Sequence, residues 1–174
     1  MERIGTANGR VGLLGEHCDW AGGFSLVAPL PMSVSVTFTR GPAGLIVESP
    51  AHGWSRAYPS AEEADLRDAA DPLRYVPAVA RVLNDDGHTV GSGHILIDGD
   101  LPMGRGFSSS AALSVATVRA LAPELSNLDT AHVAYRAEHD LMGVACGPMD
   151  QMACAIGRPI LIDWNRPDEP EIIT

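Results

Sequence analysis

The sequence predicts an α+β fold, because strand-like segments cluster early in the chain and helix-like segments follow separately. Two apolar runs with β-branched residues lie at residues 25–38 and 45–48. Apolar residues at helical spacing dominate residues 109–121. Strands that alternated regularly with helices would have favoured a doubly wound parallel sheet instead.

The first strand-rich region runs from Ser25 to Phe38, where Val, Ser and Thr alternate between Leu and Pro positions. Gly41-Pro42 predicts a turn, and Leu45 to Glu48 predicts a short partner strand. Residues 50–72 are polar and rich in Ala and Asp. We therefore expect them to form a surface excursion.

Helical periodicity begins in Pro72 to Leu83 and ends at the polar run Asn84-Asp85-Asp86-Gly87. A strand, His94 to Asp98, then leads into a glycine-rich loop. The remaining predicted elements are two helices and a last strand, at about Ser109 to Leu121, Thr130 to Met142 and Arg158 to Trp164.

Composition narrows the class of function. The chain has 174 residues, a formal net charge of −10, 45% hydrophobic and 20% charged residues, which suits one soluble globular domain. The acidic balance argues against nucleic acid or an anionic membrane as partner. No membrane span or signal peptide is recognisable. The three cysteines form no CxxC pair, so free thiols in a reducing cytoplasm are expected.

The strongest local signal lies between Leu101 and Leu113, where two glycines and three serines precede an apolar helix. Glycines let backbone N–H groups approach phosphate oxygens, and a helix N-terminus attracts anions. Ser hydroxyls add donors or a magnesium ligand. The alternative is a serine-capped helix after a glycine turn. The spacing is not that of a Walker A loop.

Two carboxylates downstream suit phosphoryl transfer. Pro148 is suited to start a helix, which would place Asp150 in its first turn, stabilised by the helix dipole. Taken singly, Glu138 and Asp150 read as ordinary helix residues. Together, Glu138 with Ser110 could hold Mg²⁺, Asp150 could orient a substrate hydroxyl, and Arg10 could neutralise the transferred group.

A third motif occupies residues 8–23, where Arg10, Glu16, His17 and Asp19 stand among glycines. Carboxylates accept protons from several hydroxyls and an imidazole donates or accepts, so this set suits a polyol. A polar surface turn is one alternative. Metal binding by Glu16, His17 and Asp19 is another, although no further His completes a convincing ligand set.

Three motifs follow one another along the chain: Gly-Arg-Val…Gly-Glu-His…Asp, then Gly-x-Gly-Phe-Ser-Ser-Ser-Ala-Ala-Leu, then Cys-Gly-Pro-Met-Asp-Gln. In this order they resemble the GHMP small-molecule kinases, and within them the galactokinases, over about residues 8–165. The resemblance implies a mixed sheet backed by helices, with a left-handed β-α-β unit. It also implies an ATP-dependent sugar kinase that uses Mg²⁺ and forms a sugar 1-phosphate. Arg10 would stabilise charge near the γ-phosphate, and Asp150 would act as catalytic base or its electrostatic equivalent.

The resemblance implies binding roles as well. The sugar would be held by Glu16, His17, Asp19 and the backbone at Gly147. The ATP phosphates would lie against Gly104, Gly106, Ser108, Ser109 and Ser110, with Ser110 and Glu138 on Mg²⁺. Four neighbours depart from the galactokinase signature and leave the sugar open: Gly12, Cys18, Trp20 and Ala21.

Members of this family are usually about twice as long. Residues 1–174 would form the N-terminal ATP- and sugar-binding domain, with the C-terminal domain missing. A truncated product is the favoured explanation, ahead of half a split enzyme or a stand-alone domain. The chain alone is expected to expose an apolar face and to have little activity. Alternative functions are a non-catalytic sugar and ATP sensor, or a kinase for a non-sugar alcohol.

Overall fold

The computed structural model describes residues 2–166 and 171–173. In this part of the chain a seven-stranded sheet is combined with helices, which confirms the α+β class. The strands are β1 (Glu2–Leu14), β2 (Phe24–Arg40), β3 (Leu45–Ser49), β4 (Trp54–Tyr58), β5 (Gly93–Gly99), β6 (Ile160–Asp163) and β7 (Glu171–Ile173). The helices are α1 (Cys18–Ala21), α2 (Tyr75–Asp85), α3 (Ser109–Leu121), α4 (Asn127–Arg136) and α5 (Met149–Ile156). A 3₁₀ turn at Pro50–His52 and a π-helical turn at Ala137–Leu141 complete the set.

The sheet is built around the long strand β2, and its order is β4-β3-β5-β2-β6-β7, with β1 also paired to β2. The β1–β2 pair is antiparallel, with register shifts between Asn8 and Arg10 and between Gly12 and Leu14. Such irregularities turn side chains out of the regular alternation and recur beside active sites. Here they affect the end of β1 that carries Arg10.

Strands β3 and β5 form a parallel pair, whereas the other described pairs are antiparallel, so the sheet is mixed as expected. The connection between β3 and β5 contains β4 and α2, because parallel neighbours need a long crossover. The left-handed β-α-β unit stays a prediction.

The core lies between the sheet and α3, which is buried on nearly all sides. Small residues on α3 let it approach β1 closely. At Gly5 an added Cβ would collide with backbone atoms of Ala116 and Ala120. A helix with apolar or small residues all round belongs in an interior, so the sequence of α3 matches its position.

Two sequence expectations need correction. Residues 54–58 form β4, whereas the sequence predicted a surface excursion over residues 50–72. An edge strand with an exposed face carries polar residues, and its sequence therefore resembles a polar loop. Residues 8–14 lie within strand β1, which the sequence did not predict, and the polar turn that was one alternative for residues 8–23 begins only at Gly15. Glycines interrupt the alternation of apolar and polar residues in this strand, so the sequence pattern did not reveal it.

Smaller differences concern element ends. Helix α4 begins at Asn127 rather than near Thr130, because the Ser126 hydroxyl caps it by accepting from the Asp129 N–H at 3.2 Å. The helix predicted up to Met142 changes to the π-helical turn after Arg136. Pro148 caps α5 rather than starting it, and Asp150 lies in the first turn as expected.

Several large apolar side chains of the described residues are exposed near one end of β1 and β2: Leu13, Leu14, Trp20 and Phe24. All three cysteines are free thiols. None of the helices in residues 2–166 and 171–173 has the length and apolar character needed to cross a membrane.

Candidate active site

Arg10 and Asp150, which are 140 positions apart, form an ion pair. The Arg10 Nε donates to Asp150 Oδ1 at 2.7 Å, and Nη2 lies 2.6 Å from the same oxygen. The irregular end of β1 supplies the arginine and the first turn of α5 supplies the aspartate. Both side chains are only partly exposed, so the pair is less screened by water than a surface pair.

Ser108 holds the other oxygen of the same carboxylate, since its Oγ donates to Asp150 Oδ2 at 2.6 Å. Ser108 has a φ of 56°, and it is the one non-glycine residue with positive φ in the described part of the chain. That conformation costs a residue with a Cβ about 1–2 kcal/mol. Strain of this kind tends to persist at functional positions.

The glycine-rich loop approaches this pair from the other side. Gly104 and Gly106 have φ values of 66° and 78°, and an added Cβ at either position would meet no neighbouring atom. The loop backbone is therefore open on that side. The Arg10 N–H donates to Phe107 O at 3.2 Å, and Arg10 Nη1 donates to Gly106 O at 3.4 Å.

The loop leads directly into α3, whose first turn contains Ser109 and Ser110. The Ser108 side chain makes no capping hydrogen bond to this helix, and its hydroxyl donates to Asp150. The first N–H groups of an α-helix have no partner within the helix, so they can bind an anion. The Ser109 hydroxyl accepts a hydrogen bond from the loop, from the Gly104 N–H at 3.4 Å.

Glu138 is a buried carboxylate beside this helix end. The π-helical turn directs it inward, where its side chain is 2% exposed and accepts from Gln151 Nε2 at 3.0 Å. Burial raises the pKa of Glu138, and hydrogen bonding from Gln151 and Ser110 partly opposes that rise. Burial and the charge of Glu138 also raise the pKa of Tyr75.

A divalent cation fits the surroundings of Glu138. The carboxylate is buried without a cationic partner among the hydrogen bonds and ion pairs of the described residues, and the buried Ser114 Oγ and Gln151 Oε1 have no partner there either. In the same residues, no group of three or more His, Cys, Asp or Glu could hold a metal ion. Mg²⁺ accepts such a site, because one carboxylate can be completed by phosphate oxygens and waters.

The polyol motif lies in an open cleft of about 580 Å³ that also contains the ion pair. Its lining comprises Arg10, Glu16, His17, Asp19, Trp20, His139, Ala145, Cys146, Gly147, Met149 and Asp150. Gly147 packs against Asp19 so closely that an added Cβ would overlap the carboxylate. Burial and the nearby charge of Asp150 raise the pKa of Asp19, while the Met149 N–H opposes the rise.

The two remaining residues of that motif are exposed at the cleft. Glu16 folds over Gly12, where an added Cβ would lie 3.0 Å from its Cγ. The His17 ring is tilted against the Trp20 indole, with centroids 5.8 Å apart. The sequence singled out twelve residues for the site. Six of them line the cleft, five lie in the glycine-rich loop or the start of α3, and the twelfth is Glu138.

Sequence reasoning missed three neighbours of the site. Gln151 was visible in the Met-Asp-Gln motif but had no assigned role, and it contacts Glu138. His139 lines the cleft next to Glu138, and no sequence signal distinguishes it from a surface histidine. A narrow apolar pocket beside Met103 contains His52 stacked on Trp54 at 4.5 Å, from a segment that read as surface.

Two family models match this chain, namely the N-terminal domain of GHMP kinases at residues 74–158 and the galactokinase galactose-binding signature at residues 2–40. The galactokinase of Thermococcus kodakarensis is 36% identical over 155 residues, which are 86% of this chain and 43% of that protein.

Two solved structures are similar in fold. The crystal structure of Lactococcus lactis galactokinase complexed with galactose has a TM-score of 0.81 at 24% identity, covering 99% of this chain and 47% of that one. The Methanococcus jannaschii mevalonate kinase has a TM-score of 0.84 at 18% identity, covering 100% and 56%. The chain thus spans about half the length of its relatives.

The two family models and the 36% identical galactokinase establish the class: the chain belongs to the GHMP kinase family. Residues 2–40 match the galactokinase galactose-binding signature, and the relative with 36% identity is a galactokinase. Within the family it is therefore galactokinase-like.

Proposed function

We propose that the complete protein transfers the γ-phosphoryl group of ATP to a hydroxyl of a monosaccharide, forming a sugar 1-phosphate. D-galactose is the first candidate, because the signature at residues 2–40 and the relatives' names both point to it. The observation that carries the proposal is the Arg10–Asp150–Ser108 contact, which lies between the glycine-rich loop and the cleft.

The lone pairs of Asp150 suit proton acceptance from a hydroxyl. Arg10 occupies Oδ1 with two N–H groups, whereas Oδ2 receives one hydrogen bond, from Ser108. Oδ2 therefore keeps a lone pair for the sugar hydroxyl. The hydroxyl proton passes to Asp150, the sugar oxygen bonds to the γ-phosphorus, and the bond to the β-phosphate oxygen breaks, which releases ADP.

Arg10 adjoins both the acceptor site and the phosphate site, because it contacts Asp150 and the backbone of Gly106 and Phe107. Its guanidinium charge stabilises the charge that builds up on the transferring group. The loop backbone at Gly104 and Gly106, which is open on one side, and the first N–H groups of α3 bind the remaining phosphates.

Glu138 and Ser110 are the residues that would hold Mg²⁺ here. The ion would offset phosphate charge and orient the phosphates. Gln151 fixes the Glu138 carboxylate for that task through the 3.0 Å hydrogen bond. Burial and the hydrogen bonds from Gln151 and Ser110 keep this carboxylate in one orientation.

The base of ATP would occupy the apolar pocket beside the loop. Met103 and Leu101 connect the pocket to the loop, and His52 stacked on Trp54 supplies an aromatic wall. A purine is planar and apolar on its faces, so it suits such a wall. Because the pocket is narrow, the two rings would have to separate to admit the base.

A second domain would cover the exposed side chains Leu13, Leu14, Trp20 and Phe24, with residues 1–174 as the ATP- and sugar-binding domain. Apolar side chains gathered beside an open cleft are typical of a contact surface. The relatives' greater length supports this proposal. The cytoplasmic location and the absence of a nucleic-acid partner stay predictions.

The test is sugar-dependent ADP release by the complete gene product, with a panel of free sugars that includes galactose. Asp150→Asn should lower turnover by about 10²–10⁴-fold while the Kd for ATP changes little. The matched control is Asp85→Asn, an exposed aspartate at the end of α2. Binding of sugar and ATP without any turnover would instead favour a sensor.

A further inference from the structure

The π-helical turn after α4 gives two of its adjacent residues opposite surroundings. Glu138 is buried, whereas the next residue, His139, is exposed and lines the cleft. Such turns are rare and concentrate at functional sites. They replace the regular α-helical hydrogen bonds and so change the directions of particular side chains. Glu138 already has a proposed role, and His139 has none.

Two contacts hold the His139 ring in place. It stacks on Tyr135 with centroids 5.0 Å apart and an interplanar angle of 20°. Its Nδ1 lies 3.1 Å from the carbonyl oxygen of Cys146. A carbonyl oxygen can only accept, so Nδ1 must carry the hydrogen. In the neutral ring Nε2 is then an acceptor with a lone pair.

The charges of the cleft decide which ligand group suits that lone pair. Glu16, Asp19 and Asp150 are acidic, and the one arginine of the lining is engaged by Asp150. An anionic ligand group would meet this excess of negative charge. A neutral hydroxyl satisfies an acceptor nitrogen without that penalty.

We infer that His139 Nε2 accepts a hydrogen bond from a non-reacting hydroxyl of D-galactose, and that His139 is therefore a specificity-determining residue of the cleft. The inference rests on the proposed function. Asp150 takes the hydroxyl that is phosphorylated, so His139 reads a different one. The Cys146 carbonyl and Tyr135 hold the His139 ring in the orientation that lets Nε2 accept this hydrogen bond.

The test measures the Kd of the complete protein for D-galactose and for each of its monodeoxy derivatives by calorimetry. The wild type should lose about tenfold or more in affinity for one derivative because a hydrogen bond is missing. His139→Ala should bind galactose about tenfold more weakly and should no longer discriminate at that position. Discrimination at the other positions should persist.

Two further variants separate recognition from structure. His139→Gln places an amide oxygen near the position of Nε2 and should recover part of the discrimination. His132→Ala, which removes an exposed histidine of the neighbouring helix, should bind every sugar as the wild type does. The Kd for ATP should be unchanged in all three variants.

The outcomes distinguish the two proposals. If His139→Ala keeps the full discrimination at every hydroxyl, or if it weakens ATP binding along with the binding of every sugar, this inference is overturned and the kinase proposal stands. If the wild type binds no galactose at all, the galactose assignment fails and the inference fails with it.

Discussion

Ser108 donates a 2.6 Å hydrogen bond to Asp150 from a left-handed backbone conformation with a φ of 56°. A glycine at this position would adopt the conformation without strain, yet it would leave Asp150 Oδ2 without its donor. The residue type is therefore set by the carboxylate rather than by the backbone.

This relationship predicts different outcomes for two substitutions. Ser108→Ala and Ser108→Gly both remove the hydroxyl, and both should lower turnover because Asp150 loses a positioning contact. Only glycine relieves the backbone strain, so the glycine variant should be about 1 kcal/mol more stable than the alanine variant. Urea unfolding and steady-state kinetics test this, and an alanine variant more stable than the glycine variant would contradict it.

Gly147 is expected to tolerate no side chain, because a Cβ would overlap the Asp19 carboxylate. Gly147→Ala should displace Asp19 and weaken sugar binding by tenfold or more, as a lost hydrogen bond to a charged group would. ATP affinity should be retained. Gly91→Ala, where a Cβ would meet Arg40 atoms at 3.5 Å, serves as the control. Equal sugar affinity in the two variants would show that the Asp19 contact is unimportant.

Asp19 should make the folded state less stable as pH rises. Its pKa is raised in the fold by burial and by the charge of Asp150, so the folded state disfavours the charged form. The stability linked to this group is present below the ordinary pKa of an aspartate and is lost as pH rises through the raised value. Asp19→Asn does not titrate, so it should be stabilised relative to the wild type at neutral pH.

That stabilisation should shrink towards acidic pH. Urea unfolding of both proteins between about pH 3 and pH 7 measures the difference, in which the other titrating groups largely cancel. A difference that grows towards acidic pH would refute the assigned direction. The same variant should bind sugar poorly, because the carboxylate is a cleft acceptor.

Glu138→Gln should uncouple magnesium from nucleotide binding. A ligand that binds the folded state raises the melting temperature, so Mg²⁺ added to the ATP complex should stabilise the wild type further. The variant should keep the shift caused by ATP and lose the increment caused by Mg²⁺. Glu63→Gln, at an exposed position, is the control and should behave as wild type. If Mg²⁺ still raised the melting temperature of Glu138→Gln as much as that of the wild type, the metal site could not be at Glu138.

Some elements could be predicted because local physics decides them. Helix α3 has the predicted bounds, since a continuous apolar segment after a glycine-serine loop has few alternatives. Strand β4 was missed, because an exposed edge strand resembles a polar loop. Strand β1 was missed because its glycines accommodate α3 and Glu16, contacts that no local pattern reveals.

The sequence by itself determined the class of the protein and the residue types of the site. Glycines and serines before a helix, an acid pair and a polar N-terminal motif are local signals, and each carries its chemistry in the side chains. Only the tertiary structure decided that Arg10 and Asp150 share one ion pair, that Gln151 holds Glu138, and that His139 faces the cleft. These contacts join residues from separate elements, so they depend on strand register and helix packing.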